Sequence, residues 1–160
     1  MNENNGAIKK MMIILSKGTL ENVYAAFVLA NGARMEGIGA EIFFTFFGLE
    51  AIHKKKLGHL HVATVGNPAM HIPTMLGGLP GMEAMATYMM KKEMEKIDMP
   101  EISEFLDILT ASGVKLWACK LAVDMFHYTK EDLYDGVEKI ITVGDFYKES
   151  AGDGVHMLFI

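Results

Sequence analysis

Residues 115–126 read KLWACKLAVDMF, and within them the periodicity changes from that of a strand to that of a helix. Val114 to Ala118 is β-prone and follows Ser112-Gly113, a turn signal. From Cys119 onward the apolar residues Leu121, Ala122, Met125 and Phe126 fall at the spacing of one helical face. Cys119, the only cysteine of the chain, therefore stands at the carboxyl end of a predicted strand and in the first turn of a predicted helix. In an open parallel α/β sheet that edge is where ligand sites gather. A helix N-terminus presents unpaired N–H groups and a partial positive charge, which favour thiolate over thiol. Lys115 and Lys120 would add to that field where they face the sulfur. Against the nucleophile stands the packing role, because a lone cysteine is among the most buried residue types and commonly acts as a small hydrophobe. The residues alone leave both open.

Working outward, the other segments supply the layers such a sheet needs. Lys9 to Ser16 is a short apolar run, as expected of a buried parallel strand. Ser16-Lys17-Gly18-Thr19 then opens a helix through about Met35, with Thr19 as candidate N-cap and Leu20, Val23, Tyr24, Phe27 and Val28 as its buried stripe. After Gly37 and Gly39, Glu41 to Phe47 forms a phenylalanine-rich second strand, giving a right-handed βαβ unit. Gly48 to His53 starts a helix that is cut short. Met82 to Ile97 is a helix with a methionine-rich face, stopped by Pro100, and Ile102 to Ala111 is a second, with Ser103 a possible cap. Past the Cys119 unit, Thr129 and Asp132 resemble a capping box, with Asp in place of the usual Glu or Gln. Glu138 to Val143 is the fourth strand, Asp145 to Ser150 a small helix and Val155 to Ile160 the last strand. The pattern predicts one domain over residues 1–160: a three-layer α/β/α sandwich on a mainly parallel sheet of about five strands. Residues 1–7, polar and Asn-rich, are expected to form a flexible leader.

Residues 54–81 break the pattern. They hold three prolines, five glycines and clustered histidine and methionine, with no sustained period. The interspersed Leu57, Leu60, Val62, Val65, Ile72, Leu76 and Leu79 argue for an ordered excursion that packs on something, such as another subunit. His59, His61 and His71, with Met70 and Met75, invite a metal site, because histidines two apart on a strand share a side and thioether plus imidazole suits copper. No carboxylate or cysteine completes that set, so ordinary strand patterning is preferred and no metal is expected.

Composition narrows the function classes. The chain has 160 residues, 51% of them hydrophobic and 22% charged, too apolar for disorder and rich for a small monomer, so a homo-oligomer is expected. The net charge of −5 and the absence of a long Lys/Arg cluster argue against nucleic acid as a partner. One cysteine excludes an intrachain disulfide framework and any CxxC pair. No stretch approaches the length of a membrane span, and the run after Lys9-Lys10 is too short for a signal peptide, so a cytoplasmic protein without stable membrane insertion is expected.

Four segments in this order resemble the DsrE/DsrF-like family of sulfur-relay proteins, in the longer subgroup sometimes labelled peroxiredoxin-like or sulfurtransferase. They are KGTLENVYAAFVLANGA (residues 17–33), FFTFFGLEAI (residues 43–52), LPGMEAMAT (residues 79–87) and the Ala118-Cys119 strand end. The resemblance spans nearly the whole chain. It implies a flavodoxin-like fold without flavin, an oligomer, and a cysteine that carries sulfur as a persulfide between donor and acceptor proteins, such as a TusA-like sulfur-carrier protein. Only Cys119 matches the sulfur-bearing position. Downstream, the family pattern resembles Met-Asp-Leu-Met-Gly; here Val123-Asp124-Met125-Phe126-His127 keeps the aspartate and loses the glycine. A peroxidatic PxxxT/SxxC motif is absent, because Ser112 and Leu116 occupy its first two key positions.

The chemistry fits a carrier, since with no resolving cysteine in the chain a second thiol must come from elsewhere. His127, about two helical turns from Cys119, is too far along one helix to serve as its base. The other expectations carried forward are a flavodoxin-like module holding nucleotide or flavin at the Ser16–Thr19 turn, and a structural oligomer subunit with an inert cysteine. The turn lacks the GxGxxG and P-loop patterns.

Overall fold

Five strands order the chain in the computed structural model, which describes residues 7–65, 67, 71 and 73–160. They are β1 (Lys10–Leu15), β2 (Gly39–Phe44), β3 (Lys115–Cys119), β4 (Val137–Ile141) and β5 (Val155–Phe159). The sheet order is β4-β3-β2-β1-β5, and every neighbouring pair is parallel. An α/β sandwich with a parallel five-stranded sheet is thus what the alternating pattern forms. The expected leader lies outside the described residues except for Ala7, as does Met70 of the histidine–methionine cluster.

Among the described residues six α-helices join the strands: α1 (Leu20–Met35), α2 (Thr74–Gly77), α3 (Met82–Glu95), α4 (Ile102–Ala111), α5 (Lys120–Met125) and α6 (Val143–Glu149). α1 and α4 cover one face of the sheet. In-register Ile13, Leu15, Ile42, Phe44, Leu116 and Ala118 line that face and are fully buried. Phe27 of α1 meets Phe44 edge-on, with centroids 6.4 Å apart, and Phe105 of α4 at 5.6 Å. Offset aromatic contacts of this kind add to the area that burial removes from water. Strand alternation turns Met12, Phe43, Trp117 and Cys119 to the second face. There Phe146 of α6 stacks on Phe43 at 4.7 Å.

The helical stripes differ from the sequence expectation. On α1 the buried set is Leu20, Val23, Ala26, Phe27, Ala30 and Ala33, while Val28 faces solvent. Small alanines at Ala26, Ala30 and Ala33 bring the helix close to the sheet alongside Leu20, Val23 and Phe27 of the expected stripe. On α3 only Ala86 and Thr87 are fully buried; Met90 and Met94 pack partly buried against the core, while Met85 and Met89 stand exposed. β2 stops at Phe44 instead of Phe47. Thr45 leads into a 3-10 segment, Phe46–Ile52, that folds back over the sheet edge, and Phe46 adopts φ +45° there.

The described part of residues 54–81 is tied to the α1–α3 side at several points. Leu60, Val62 and Thr64 are buried. The Leu20 N–H donates to the His61 carbonyl at 2.9 Å, the Val62 N–H to the Thr87 hydroxyl at 2.9 Å, and the Thr64 hydroxyl to the Gly77 carbonyl at 2.8 Å. Among the described residues no helix is long and apolar enough to cross a membrane.

Candidate functional site

The carboxyl edge of the sheet is built from short turns that leave each strand abruptly. After β1, Ser16-Lys17-Gly18 turns into α1 so tightly that a Cβ on Gly18 would lie 2.5 Å from the Phe47 carbonyl oxygen. Gly48 is packed closer still, its Cβ position 2.1 Å from the Leu15 carbonyl oxygen, so only glycine lets the 3-10 segment dock on the end of β1. The Gly48 N–H donates to the Ser16 carbonyl at 3.1 Å, and the Thr45 N–H to Leu15 at 3.0 Å.

Cys119 lies on this edge as the last residue of β3 and the N-cap of α5, with extended backbone (φ −71°, ψ 118°). Its strand partner is Ile141 on β4. On the other side Phe44 pairs with Ala118, which brings Thr45 alongside the cysteine. Cys119 is 3% exposed and belongs to the continuous core. Around it the turns that follow β2, β3 and β4 carry exposed apolar side chains: Phe46, Phe47, Leu121, Met125 and Val143. Phe47 packs on Phe126 at 5.7 Å, and Phe126 stacks on Tyr128 at 5.6 Å, closing one flank. Cys119 is thus buried at an edge whose turns carry an apolar rim.

Two sequence-derived expectations about its field do not hold. Lys115 is four residues earlier on the same strand, about 13 Å away by strand rise, and its ammonium lies 3.6 Å from Glu41. Lys120 is held by both oxygens of Asp124 at 2.6 Å, one turn along α5. Neither cation is directed at the thiol. α5 itself is six residues long, so the partial charge at its start is small. His127 is exposed, just past α5, with φ +56°.

Thr142 had no part in the sequence-derived site, yet it organises the next turn. Its hydroxyl accepts the Asp145 N–H at 3.2 Å, and the Asp145 carboxylate accepts both the Thr142 hydroxyl (2.7 Å) and its N–H (3.3 Å). These bonds hold the Asp145 carboxyl below the usual carboxylate range, with Lys148 adding to the effect. α6 consequently starts at Val143, not Asp145. The Thr-x-x-Asp spacing was readable in the sequence, as it was for Thr129 and Asp132, which do form their box.

His59 and His61 line a pocket of about 320 Å³ with Lys17, Gly18, Thr19, Phe47, Glu50 and Glu83. His61 Nδ1 is 3.9 Å from Glu83. Among the described residues no group of three or more His, Cys, Asp or Glu side chains is placed to hold a metal ion. The same pocket abuts the Ser16–Thr19 turn. There the Leu20 N–H is taken by the His61 carbonyl, and the Thr19 hydroxyl accepts the Asn22 amide at 2.5 Å instead of capping the helix. The chain's own backbone thus occupies part of what a phosphate would use.

Comparisons with known proteins agree with this architecture. A family model described as the DsrE/DsrF/DrsH-like family matches residues 7–159. The chain is 38% identical over 160 residues to the sulfur carrier protein DsrE2 of Allochromatium vinosum, covering 95% of this chain and 98% of that one. It is 26% identical over 162 residues to the uncharacterized protein YrkE of Bacillus subtilis, covering 95% and 97%. Among solved structures it resembles MTH1491, of unknown function, from Methanobacterium thermoautotrophicum (TM-score 0.59, 12% identity, 94% of this chain and 98% of that one). It also resembles the ychN protein of E. coli (TM-score 0.55, 18% identity, 94% and 99%). At those identities the two structures speak for the fold alone. From a family match over nearly its full length, this chain belongs to the DsrE/DsrF/DrsH-like family.

Proposed function

We propose that this protein is a cytoplasmic sulfur carrier of the sulfurtransferase type, in which Cys119 alternates between thiolate and persulfide. One observation carries the proposal: the single cysteine caps a strand at the carboxyl edge of a parallel sheet, in a chain akin to a named sulfur carrier. In the loading step the Cys119 thiolate attacks the terminal sulfur of a donor persulfide. A new S–S bond forms on Cys119, the donor S–S bond breaks, and the donor leaves as a thiolate. In the unloading step an acceptor thiolate attacks that terminal sulfur, and Cys119 leaves as the thiolate. Each step exchanges one S–S bond for another with no net oxidation, so neither metal nor flavin is required.

The acceptor is a second sulfur-carrier protein, for example a TusA-like one, because this chain has no other thiol to release the sulfur. A terminal sulfur extends about 2 Å beyond Sγ, toward the rim formed by Phe46, Leu121 and Val143, where an acceptor cysteine would approach. The carrier works as a homo-oligomer, in keeping with its apolar surface.

Intact-protein mass spectrometry after incubation with polysulfide or a persulfidated carrier protein tests the mechanism. Wild type gains one or more sulfur atoms that an acceptor thiol removes, and Cys119→Ser gains none. No sulfur gain from any donor, together with alkylation of the native thiol no faster than that of a buried thiol, would make Cys119 a packing residue.

A further inference from the structure

The two edges of the sheet are protected unequally. β4, at one edge, carries Glu138 and Lys139, and its pairing with β3 is broken by a register shift at Leu116/Trp117. Charges and bulges of this kind are what keep an edge strand from pairing with another chain. β5, at the other edge, reads VHMLF and has no lysine, carboxylate, proline or bulge.

The backbone of β5 is aimed in a definite way. The Gly154 carbonyl accepts the Lys10 N–H, the Ile160 N–H donates to Ile14, and the Ile160 carbonyl accepts the Ser16 N–H. The even-numbered residues therefore turn their main chain toward β1. Alternation turns the N–H and C=O groups of Val155, Met157 and Phe159 outward, where no described strand meets them. Their side chains project on the second face, with Met157 49% and Phe159 71% exposed. Parallel sheets ordinarily have both faces covered, and this corner is not.

We infer that β5 pairs antiparallel with β5 of a second copy of this chain, about a two-fold axis at Met157, joining two sheets into one. In that register Met157 exchanges both hydrogen bonds with its copy, and Val155 exchanges both with Phe159. Every outward N–H and C=O of the three residues is then satisfied. Across the pair His156 lies opposite Leu158, and no like charges oppose each other. The same operation on β4 would set Lys139 against Lys139, an unfavourable cross-strand contact. Charge thus selects β5 for self-pairing and excludes β4.

Ala7 lies beside Gly154, and the six residues before it read MNENNG, a polar sequence with no large apolar side chain beyond Met1. Because the strands run antiparallel across the axis, the carboxyl edges of the two sheets point in opposite directions. The two Cys119 sites lie far apart on the assembly and each is open to its own partner. The inference stands on the edge geometry and does not depend on the sulfur chemistry.

Analytical ultracentrifugation of the full chain, with Met157→Pro, Met157→Lys and a deletion of residues 1–6, tests it. The proline removes only an outward N–H and the lysine sets charge against charge, so both are expected to halve the assembly mass while far-UV circular dichroism is retained. The deletion is expected to leave the mass unchanged. Hydrogen exchange on wild type gives a second readout that needs no variant: the Val155, Met157 and Phe159 amides are expected to be protected only above the dissociation concentration. A monomeric wild type, an assembly indifferent to both Met157 variants, or a monomer that dimerises only on deletion of residues 1–6 would each overturn the inference. Unprotected odd-numbered amides in the assembled protein would do the same.

Discussion

Glu41 is buried inside the sheet, its carboxylate 3.5 Å from Lys10 and 3.6 Å from Lys115, and Oε2 accepts no hydrogen bond from the described residues. The Trp117 indole N–H is likewise buried without a partner, beneath Lys115 and Lys139, whose ammonium groups lie 6.0 and 5.8 Å from its ring centroid. Burial raises the Glu41 carboxyl above its usual 4.5, and the two lysines only partly offset it. Between the unfolded and the raised folded value, the folded chain holds a proton that the unfolded chain has lost. Stability therefore falls as pH rises through that window. Glu41→Gln removes this dependence, so denaturant unfolding should show the variant gaining on wild type from acid to neutral pH. A variant that instead falls behind wild type over that range would mean the lysine pairs outweigh burial. The sequence showed a glutamate at the start of a β-prone run and gave no sign that two distant strands would put lysines around it.

α6 is seven residues long and would be marginal alone, since nucleation costs more than a few internal hydrogen bonds return. It is held by the Thr142–Asp145 box at one end and by the Phe146–Phe43 stack on the sheet. Thr142→Ala should cost about 1 kcal/mol, the usual loss for an N-cap hydroxyl, read as a lower urea midpoint with unchanged slope. No change in midpoint would assign the helix to packing alone. α6 starts two residues earlier than the sequence pattern predicts, because a β-prone run, Ile140 to Val143, overlaps the cap. β2 ends three residues before the predicted Phe47 for a similar reason. Phe46 and Phe47 are strong strand formers, but the close contact of Gly48 with the Leu15 carbonyl pulls them off the sheet. In both cases local propensity ran past a boundary that tertiary contact fixed.

For the molecule as a whole, edge pairing and sulfur chemistry occupy different parts of one sheet. Met157 is on β5 and Cys119 on β3, with β2 and β1 between them. If assembly serves to display the sites and not to build them, the monomeric Met157→Pro protein should take up sulfur on Cys119 as wild type does. The measurement is the time course of mass gain, and a marked slowing in the variant would show that the neighbouring copy completes the site.

Periodicity and punctuation in the chain were enough to specify a parallel α/β sandwich, to put Cys119 at a strand-to-helix junction and to mark the Thr129–Asp132 box. These depend on contacts between residues close in sequence, which a pattern records directly. The burial of Cys119, the diversion of Lys115 to Glu41 and the alanine contacts that bring α1 onto the sheet came only with the folded chain. So did the unequal protection of the two sheet edges. Each of these depends on which strands become neighbours, and strand order joins residues more than a hundred positions apart, as when Lys10 meets the Glu149 carbonyl. No local period carries that information.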